Sequence, residues 1–299
     1  MISFNTLISR FIPFLPKVLA YQFAKRYVAG TSKESAFKVI QNLNNSGYLV
    51  TLDILGEHTE DLRMANSITE QYIDLYHEIN NRKLNCNISL KPSHIGADIN
   101  KDIFNTNLNK IITISDQFSN FVRVDMESSK YTDYTIQLFE QNRLKTDNIG
   151  TVFQAYLYRT YNDIVKLDKK NLNFRLCKGI YKENKDISIH NPTEINDNYL
   201  KILRYAFENN IYVGIATHDT LLLSLIYKLI EELQPLKDTF EFQVLYGVPM
   251  KGWNEKHINN GYKIRVYVPF GDDWYKYSIR RLKENPDIAG YVLKNLFSK

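Results

Sequence analysis

Cysteine is nearly absent, with only Cys86 and Cys177 in 299 residues, each inside an apolar run. One pair offers no disulfide framework for a small secreted fold, so both are expected to be buried thiols of a reducing compartment. Glycine and proline are also scarce, 12 and 8, which excludes a collagen-like or a Gly/Pro-rich disordered chain. No charge sign dominates: 38 Lys+Arg against 33 Asp+Glu give a formal net charge of +5, without a run resembling a basic arm. That surplus suits acidic small molecules or an anionic membrane surface and gives no argument for nucleic acid. The six histidines (His58, His77, His94, His190, His218 and His257) lack HxxxH spacing and the cysteines lack CxxC spacing, so no metal site is expected.

Long hydrophobic runs are missing too. The apolar N-terminus, MISFNTLISRFIPFLPKVLA, is interrupted by Arg10 and Lys17 and broken by Pro13 and Pro16. It fails as a signal peptide and as a span of about 20 apolar residues, and it reads as a packing helix.

What the chain does have is a rhythm. Short runs rich in β-branched and aromatic residues recur eight times: 47–57, 86–92, 121–127, 150–157, 174–179, 213–219, 240–247 and 263–271. Each is strand-length, and most end in polar or glycine residues. Between them Ala65, Ile68, Tyr72, Leu75 and Ile79 step by three and four, as do Leu222, Ile226, Leu229, Ile230 and Leu233, which puts each set on one helical face. The polar 101–118 and 130–145 stretches read as more exposed helices, and the helical signal between the last two strands is weak. Eight strands alternating with helices predict a (β/α)8 TIM-like barrel over 46–299, after an N-terminal helical arm over 1–45. A doubly wound open sheet is the alternative, but nothing resembling GxGxxG or GxxxxGK follows a strand, so neither a dinucleotide fingerprint nor a P-loop supports it.

In such a barrel the chemistry sits at the C-terminal strand ends. Asp53, Glu57, Lys91, Asp125, Glu127, Gln154, Arg175, Lys178, Thr217, His218 and Asp219 all fall there, a list that predicts an enzyme without choosing its reaction. The stretch 267–286 adds a helix capped by Asp272 or Asp273 and stopped at Asn285–Pro286. On it Tyr277, Arg280 and Glu284 share a face, with Arg281 about 100° around the axis. Two adjacent guanidiniums can straddle one carboxylate, with Glu284 holding Arg280. A solvated helix with ordinary i,i+4 pairs fits the same spacing.

The blocks DILGE, ISLKP, VRVDME, VFQAYL, RLCKG with Ile180–Tyr181, ATHD, FQVLYG, YVPFG and YxxRRLxEN occur in this order. The set resembles the flavin-dependent proline dehydrogenase family in its monofunctional bacterial form, over about residues 20 to 297. The resemblance implies a distorted barrel whose last helix sits over the mouth. It also implies oxidation of L-proline to Δ1-pyrroline-5-carboxylate, reduction of FAD, and transfer of electrons to a quinone. FAD would lie around Met126, Gln154, Arg175, Lys178, Gly179, Ile180, Thr217 and His218. Arg175 would stand near the reactive flavin edge and Gln154 would hydrogen-bond the ring. On the substrate side, Arg280, Arg281 and Lys91 would bind the carboxylate, while Leu245, Tyr267 and Tyr277 would wall the ring. Asp125 would pair with Lys91, and Glu57 would form a gating ion pair with Arg280.

The resemblance further implies a cytoplasmic protein, peripheral at the inner face of the membrane, served by a separate pyrroline-5-carboxylate dehydrogenase. Hydroxyproline is the rival substrate, and a 4-hydroxyl would be crowded by Tyr267. A lyase or aldolase using Lys91 or Lys178 as a Schiff-base amine is a rival chemistry, and a membrane-surface binding module is a non-enzymatic one. Lys91, Arg175, Lys178, Arg280 and Arg281 are expected to account for part of the +5 charge, leaving the outer surface near neutral.

Overall fold

The computed structural model describes residues 17–284. All eight predicted runs form strands: β1 (Leu49–Ile54), β2 (Cys86–Leu90), β3 (Val122–Val124), β4 (Ile149–Gln154), β5 (Asn173–Cys177), β6 (Tyr212–Ala216), β7 (Phe240–Leu245) and β8 (Ile264–Phe270). Each pairs in parallel with the next, and β1 closes on β8 from Leu49↔Arg265 to Ile54↔Phe270. The result is a closed (β/α)8 barrel, as expected.

The strands alternate strictly. Val50 and Leu52, Ile88 and Leu90, Val122 and Val124, Phe174 and Leu176, and Phe240 and Phe242 join the buried apolar core. Thr51 and Asp53, Asn87 and Ser89, Arg123, Arg175, Glu241 and Gln243 are buried polar residues in the intervening positions. Side chains two apart share a sheet face, so one face packs on helices and the other fills the barrel with polar groups. That departs from the branched aliphatic layers usual in such barrels.

The helix Leu62–Asn81 shows how the outer layer forms. The Asp61 side chain accepts the Met64 N–H at 2.8 Å, a cap worth about 1 kcal/mol. Ala65, Ile68, Tyr72, Leu75 and Ile79 are buried together with Thr69 and Tyr76; each large apolar side chain so buried stabilises by about 1.5–3 kcal/mol. The stretches 101–118 and 130–145 are helices, Lys101–Gln117 and Ser129–Arg143. They are less exposed than their polarity suggested, because Phe104, Leu108 and Ile111 on one, and Leu138 and Phe139 on the other, are buried. The weakly signalled helix also exists, as Trp253–Asn259.

Among the described residues two helices precede β1. The helix Lys33–Asn45 packs on β8 and β1 from outside, while Lys17–Tyr27 packs against the last described helix, Trp274–Glu284. Tyr27, Val28, Leu55 and Tyr277 form a small apolar cluster at that contact. Most of the apolar stretch 1–20, the side chain of Glu284, and the expected Asn285–Pro286 stop lie outside the described residues. Among those described, no helix is long and apolar enough to cross a membrane. Both cysteines are free, and burial pushes each thiol up to about 12.

Two buried histidines set an acid limit. Burial, then Lys91, lowers His94 to about 3; burial, then Lys256, lowers His257 to about 4. The unfolded chain, with histidines near 6.5, therefore takes up protons first as pH falls. Each residue costs up to about 1.4 kcal/mol of stability per pH unit between roughly 6.5 and its folded value. The Tm is expected to fall between pH 7 and pH 5, and to fall less in His257→Gln. Equal falls in both proteins would assign the acid sensitivity elsewhere.

Candidate active site

A cavity of about 480 Å³ opens at the C-terminal ends of the strands, bounded above by Asp273, Lys276, Tyr277, Arg280 and Arg281 of the last helix and the turn before it. This is a size at which small-molecule sites are found. The last helix thus lies over the mouth, which brings a late Arg–Arg pair to strand ends that precede it by more than a hundred residues. Every expected cofactor and substrate residue lines this cavity: Lys91, Asp125, Met126, Gln154, Arg175, Lys178, Gly179, Ile180, Thr217, His218, Leu245, Tyr267, Tyr277, Arg280 and Arg281. Glu57 lines it too.

Arg175, on β5, spans the barrel. Its Nη1 donates to Asp125 Oδ1 at 2.7 Å and its Nε to Gln243 Oε1 at 2.5 Å, while Nη2 is buried without a hydrogen-bond partner. Asp125 is well engaged: Oδ1 also accepts from Ser89 Oγ at 2.5 Å, and Oδ2 accepts from the Tyr267 hydroxyl at 3.2 Å. The guanidinium of Arg175 lies 5.2 Å from the centroid of the Tyr267 ring, within reach of a cation–π attraction. Burial, and then the charges of Asp53 and Asp125, push the Tyr267 phenol well above its ordinary value, so it stays a donor.

The expected Asp125–Lys91 pair does not form. Lys91 Nζ bonds Asp53 Oδ2 at 2.8 Å instead, while Asp125 is engaged by Arg175, Ser89 and Tyr267. Burial acts to lower the Lys91 pKa, but Asp53 and then Asp125 more than offset it, and the ammonium is held above its usual value. Asp53 itself is raised, chiefly by burial and against the pull of Lys91. The structure also records no ion pair between Glu57 and Arg280, although both face the mouth. Arg280 lies with its guanidinium 6.0 Å, and Arg281 5.3 Å, from the centroid of the Tyr277 ring.

On the other side of the cavity, Gln154 donates from Nε2 to the Met126 and Glu127 carbonyls, and its Oε1 is buried without a partner. Lys178 Nζ meets Asp219 Oδ2 at 2.5 Å, and Asp219 Oδ1 caps the helix Thr220–Leu233. Thr217 Oγ1 accepts the Asp219 N–H. Gly179 has φ +110, and a Cβ there would overlap the Tyr156 ring, so the turn after β5 requires glycine. His218 Nε2 accepts the Leu245 N–H at 3.0 Å, and burial, then Arg281, lowers it to about 4. It is therefore neutral, with its proton on Nδ1.

Sequence reasoning left Asp53 and Asp219 without partners and missed Gln243, Ser89 and Tyr181. Tyr181 lies among Glu127, Glu57 and Arg280: burial first, then those carboxylates, raises it against the pull of Arg280. The expected charge distribution also needs correction. Lys91, Arg175 and Lys178 are each matched by an aspartate, so they do not absorb the +5 surplus, and the outer surface is not left neutral by them.

Comparison with known proteins places the chain in a family. The family described as "Proline dehydrogenase" matches residues 36–293. "Proline dehydrogenase 2" of Bacillus subtilis (strain 168) is 36% identical over 277 residues, covering 92% of this chain and 91% of its own. "Proline dehydrogenase" of Deinococcus radiodurans is 30% identical over 281 residues, covering 92% and 90%. Among solved structures, proline utilization A (PutA) from Bdellovibrio bacteriovorus, inactivated by N-propargylglycine, superposes with a TM-score of 0.81 at 24% identity. That match covers 89% of this chain and 33% of the PutA chain, so this chain spans about a third of it, and it shows the shared fold. This chain belongs to the proline dehydrogenase family.

Proposed function

We propose that this protein oxidises L-proline to Δ1-pyrroline-5-carboxylate, with FAD as its cofactor and a quinone as the electron acceptor. The observation that carries the reading is a cavity with cations at both ends. Arg280 and Arg281 line it from the last helix, and Arg175 lines it from the barrel, its Nη2 buried without a hydrogen-bond partner. The residues fit a flavin. Arg175 Nη2 is a donor with a positive charge, Gln154 Oε1 is an acceptor for a ring N–H, and both are buried and otherwise unsatisfied, which is costly unless a ligand satisfies them. Gly179 lets the backbone after β5 turn beside the site, and Lys178 and Thr217 offer polar contacts for the remainder of the cofactor. When bound, FAD would accept the two electrons removed from the C5–N bond of the substrate.

The chain's own residues orient the substrate. Lys91 is held charged by Asp53 and Asp125 and, with Arg280 and Arg281, offers three cations to one carboxylate. Leu245 and Tyr267 present surface to the ring methylenes. The amine must be neutral to lose hydride, and binding of its minor neutral form meets that need without a dedicated base. Orientation by the carboxylate clamp is then the main contribution to rate. A Schiff base on Lys91 is disfavoured, because a nucleophilic lysine needs a lowered pKa, whereas that of Lys91 is raised. The product would pass to a separate pyrroline-5-carboxylate dehydrogenase, and quinone reduction would bring the protein to the inner face of the membrane.

The test is a visible spectrum with and without L-proline, in the absence of oxygen. The purified protein is expected to be yellow and to bleach on addition. A colourless protein refutes the cofactor; a yellow protein that bleaches faster with 4-hydroxyproline refutes the substrate choice, since Tyr267 crowds that position.

A further inference from the structure

A buried polar chain rises from beneath the proposed site to Gln243, which lines the cavity, and neither Gln243 nor the residues below it are used by the chemistry above. Arg265 Nε, on β8, donates to Glu241 Oε1 at 2.7 Å. Gln243 Nε2, two residues along β7 from Glu241, donates to the same oxygen at 2.7 Å. Gln243 Oε1 then accepts from Arg175 Nε at 2.5 Å. Glu241 and Gln243 are both buried. Glu241 remains ionised: burial acts to raise it, but Arg265 and Gln243 more than offset that and hold it below the usual carboxylate range.

We propose that Gln243 is a positioning residue for the reaction: clamped by Glu241, it holds the Nε edge of Arg175 and so fixes the orientation of the guanidinium of a residue that lines the cavity. The inference rests on the flavin reading above. Asp125 alone tethers one corner of the guanidinium and leaves the group free to swing about that bond. Asp125 sits just past β3 and Gln243 on β7, two strands to either side of β5 in the ring, so the two tethers together define the plane of the group. The amide can adopt only one orientation. Arg175 Nε is a donor and ionised Glu241 an acceptor, so Oε1 must face the first and Nε2 the second. A neutral tether also matters. Asp125 already balances Arg175, and a second carboxylate would cancel the positive charge that Nη2 presents. Gly214, on β6 between β5 and β7, completes the device. It has no side chain where the Gln243 amide lies, and a Cβ there would overlap that amide.

The experiment compares wild type with Gln243→Leu and with Gly214→Ala, which displaces the amide without changing its chemistry. In Gln243→Leu, kcat is expected to fall about tenfold to a hundredfold, with the KM for L-proline changed less than about threefold. The preference for reduced over oxidised FAD should fall about tenfold, or roughly 30 mV for a two-electron couple. Gly214→Ala should show the same signature, smaller. Crystal structures of the cofactor-free proteins form a second arm, in which the Arg175 guanidinium should leave its wild-type position in both variants. A lowered Tm with unchanged kcat, unchanged potential and unmoved Arg175 makes Gln243 merely structural and overturns the proposal. If the wild type binds no flavin, the functional reading fails and the crystallographic arm alone decides the tether.

Discussion

Arg280→Met is expected to raise the KM for L-proline about a hundredfold while the protein keeps its flavin colour. Arg280 and Arg281 are adjacent on a helix that reaches the mouth from above, whereas the unsatisfied groups suited to a flavin, Arg175 Nη2 and Gln154 Oε1, belong to strands of the barrel. On the proposed reading the arginine pair and these flavin-facing groups are carried by different elements, so their effects should separate on mutation. A charge-assisted hydrogen bond contributes about 1.5–3 kcal/mol, and each 1.4 kcal/mol is tenfold in affinity. Arg280 is partly buried, its Nε has no partner, and no ion pair with Glu57 competes for it. The carboxylate interaction is therefore realised with little screening, and a loss of about 3 kcal/mol is reasonable for a fixed guanidinium. Methionine keeps the length and apolar stem, so the helix should stay seated through Tyr277 on Tyr27, Val28 and Leu55. Arg280→Lys should recover part of the affinity, since it restores the charge without the planar fork. Steady-state kinetics with the flavin-to-protein absorbance ratio checks both halves. An unchanged KM would mean the clamp is misassigned, and loss of colour would mean that the helix carries cofactor contacts.

The barrel was legible because its two periodicities are clean. The strands alternate with a period of two, and the helix Leu62–Asn81 buries its 3.6-period stripe. The rim residues were legible for the same reason, as polar groups at strand ends in a fold whose chemistry lies there. Partner choice was not. Asp53 and Asp125 stand at the ends of strands flanking β2, so both are candidates for Lys91. The decision is made by Arg175, Ser89 and Tyr267, which reach Asp125 from β5, β2 and β8. Such cross-barrel competition is set by side-chain reach in three dimensions, which sequence order does not encode. The buried chain from Arg265 to Gln243 did leave a signal: Arg123, Arg175, Glu241, Gln243 and Arg265 sit in strands at positions alternating with Val, Leu and Phe. In a barrel whose outer face is covered by helices, that alternation must turn the polar set inward.

Asp125→Ala is expected to cost the most stability of any single change at this site. It strips the counter-ion from the buried Arg175 and removes the acceptor of Ser89 and Tyr267 at once. Breaking one side of a buried pair costs about 3–5 kcal/mol, which in a chain of this size lowers the Tm by roughly 5–15 °C. Asp125→Asn separates fold from function. Its amide oxygen can still accept from Ser89 and Arg175, and the Tyr267 hydroxyl can turn from the new amide N–H toward Asp53 Oδ1, which is buried without a partner. Most of the Tm should return. The charge does not return, and Asp125 is one of the carboxylates, with Asp53 and Glu127, that hold Lys91 above its usual pKa. A lysine with a raised pKa loses its proton only as pH climbs through that value, so removing one of its supports must bring the loss to lower pH. In Asp125→Asn the alkaline limb of kcat/KM should therefore move to lower pH, and kcat should stay about a hundredfold down, because the neutral amide holds Arg175 without the charge of the ion pair. Recovery of both Tm and activity in the Asn protein would reduce Asp125 to a packing role, and an unmoved alkaline limb would remove Lys91 from the carboxylate clamp.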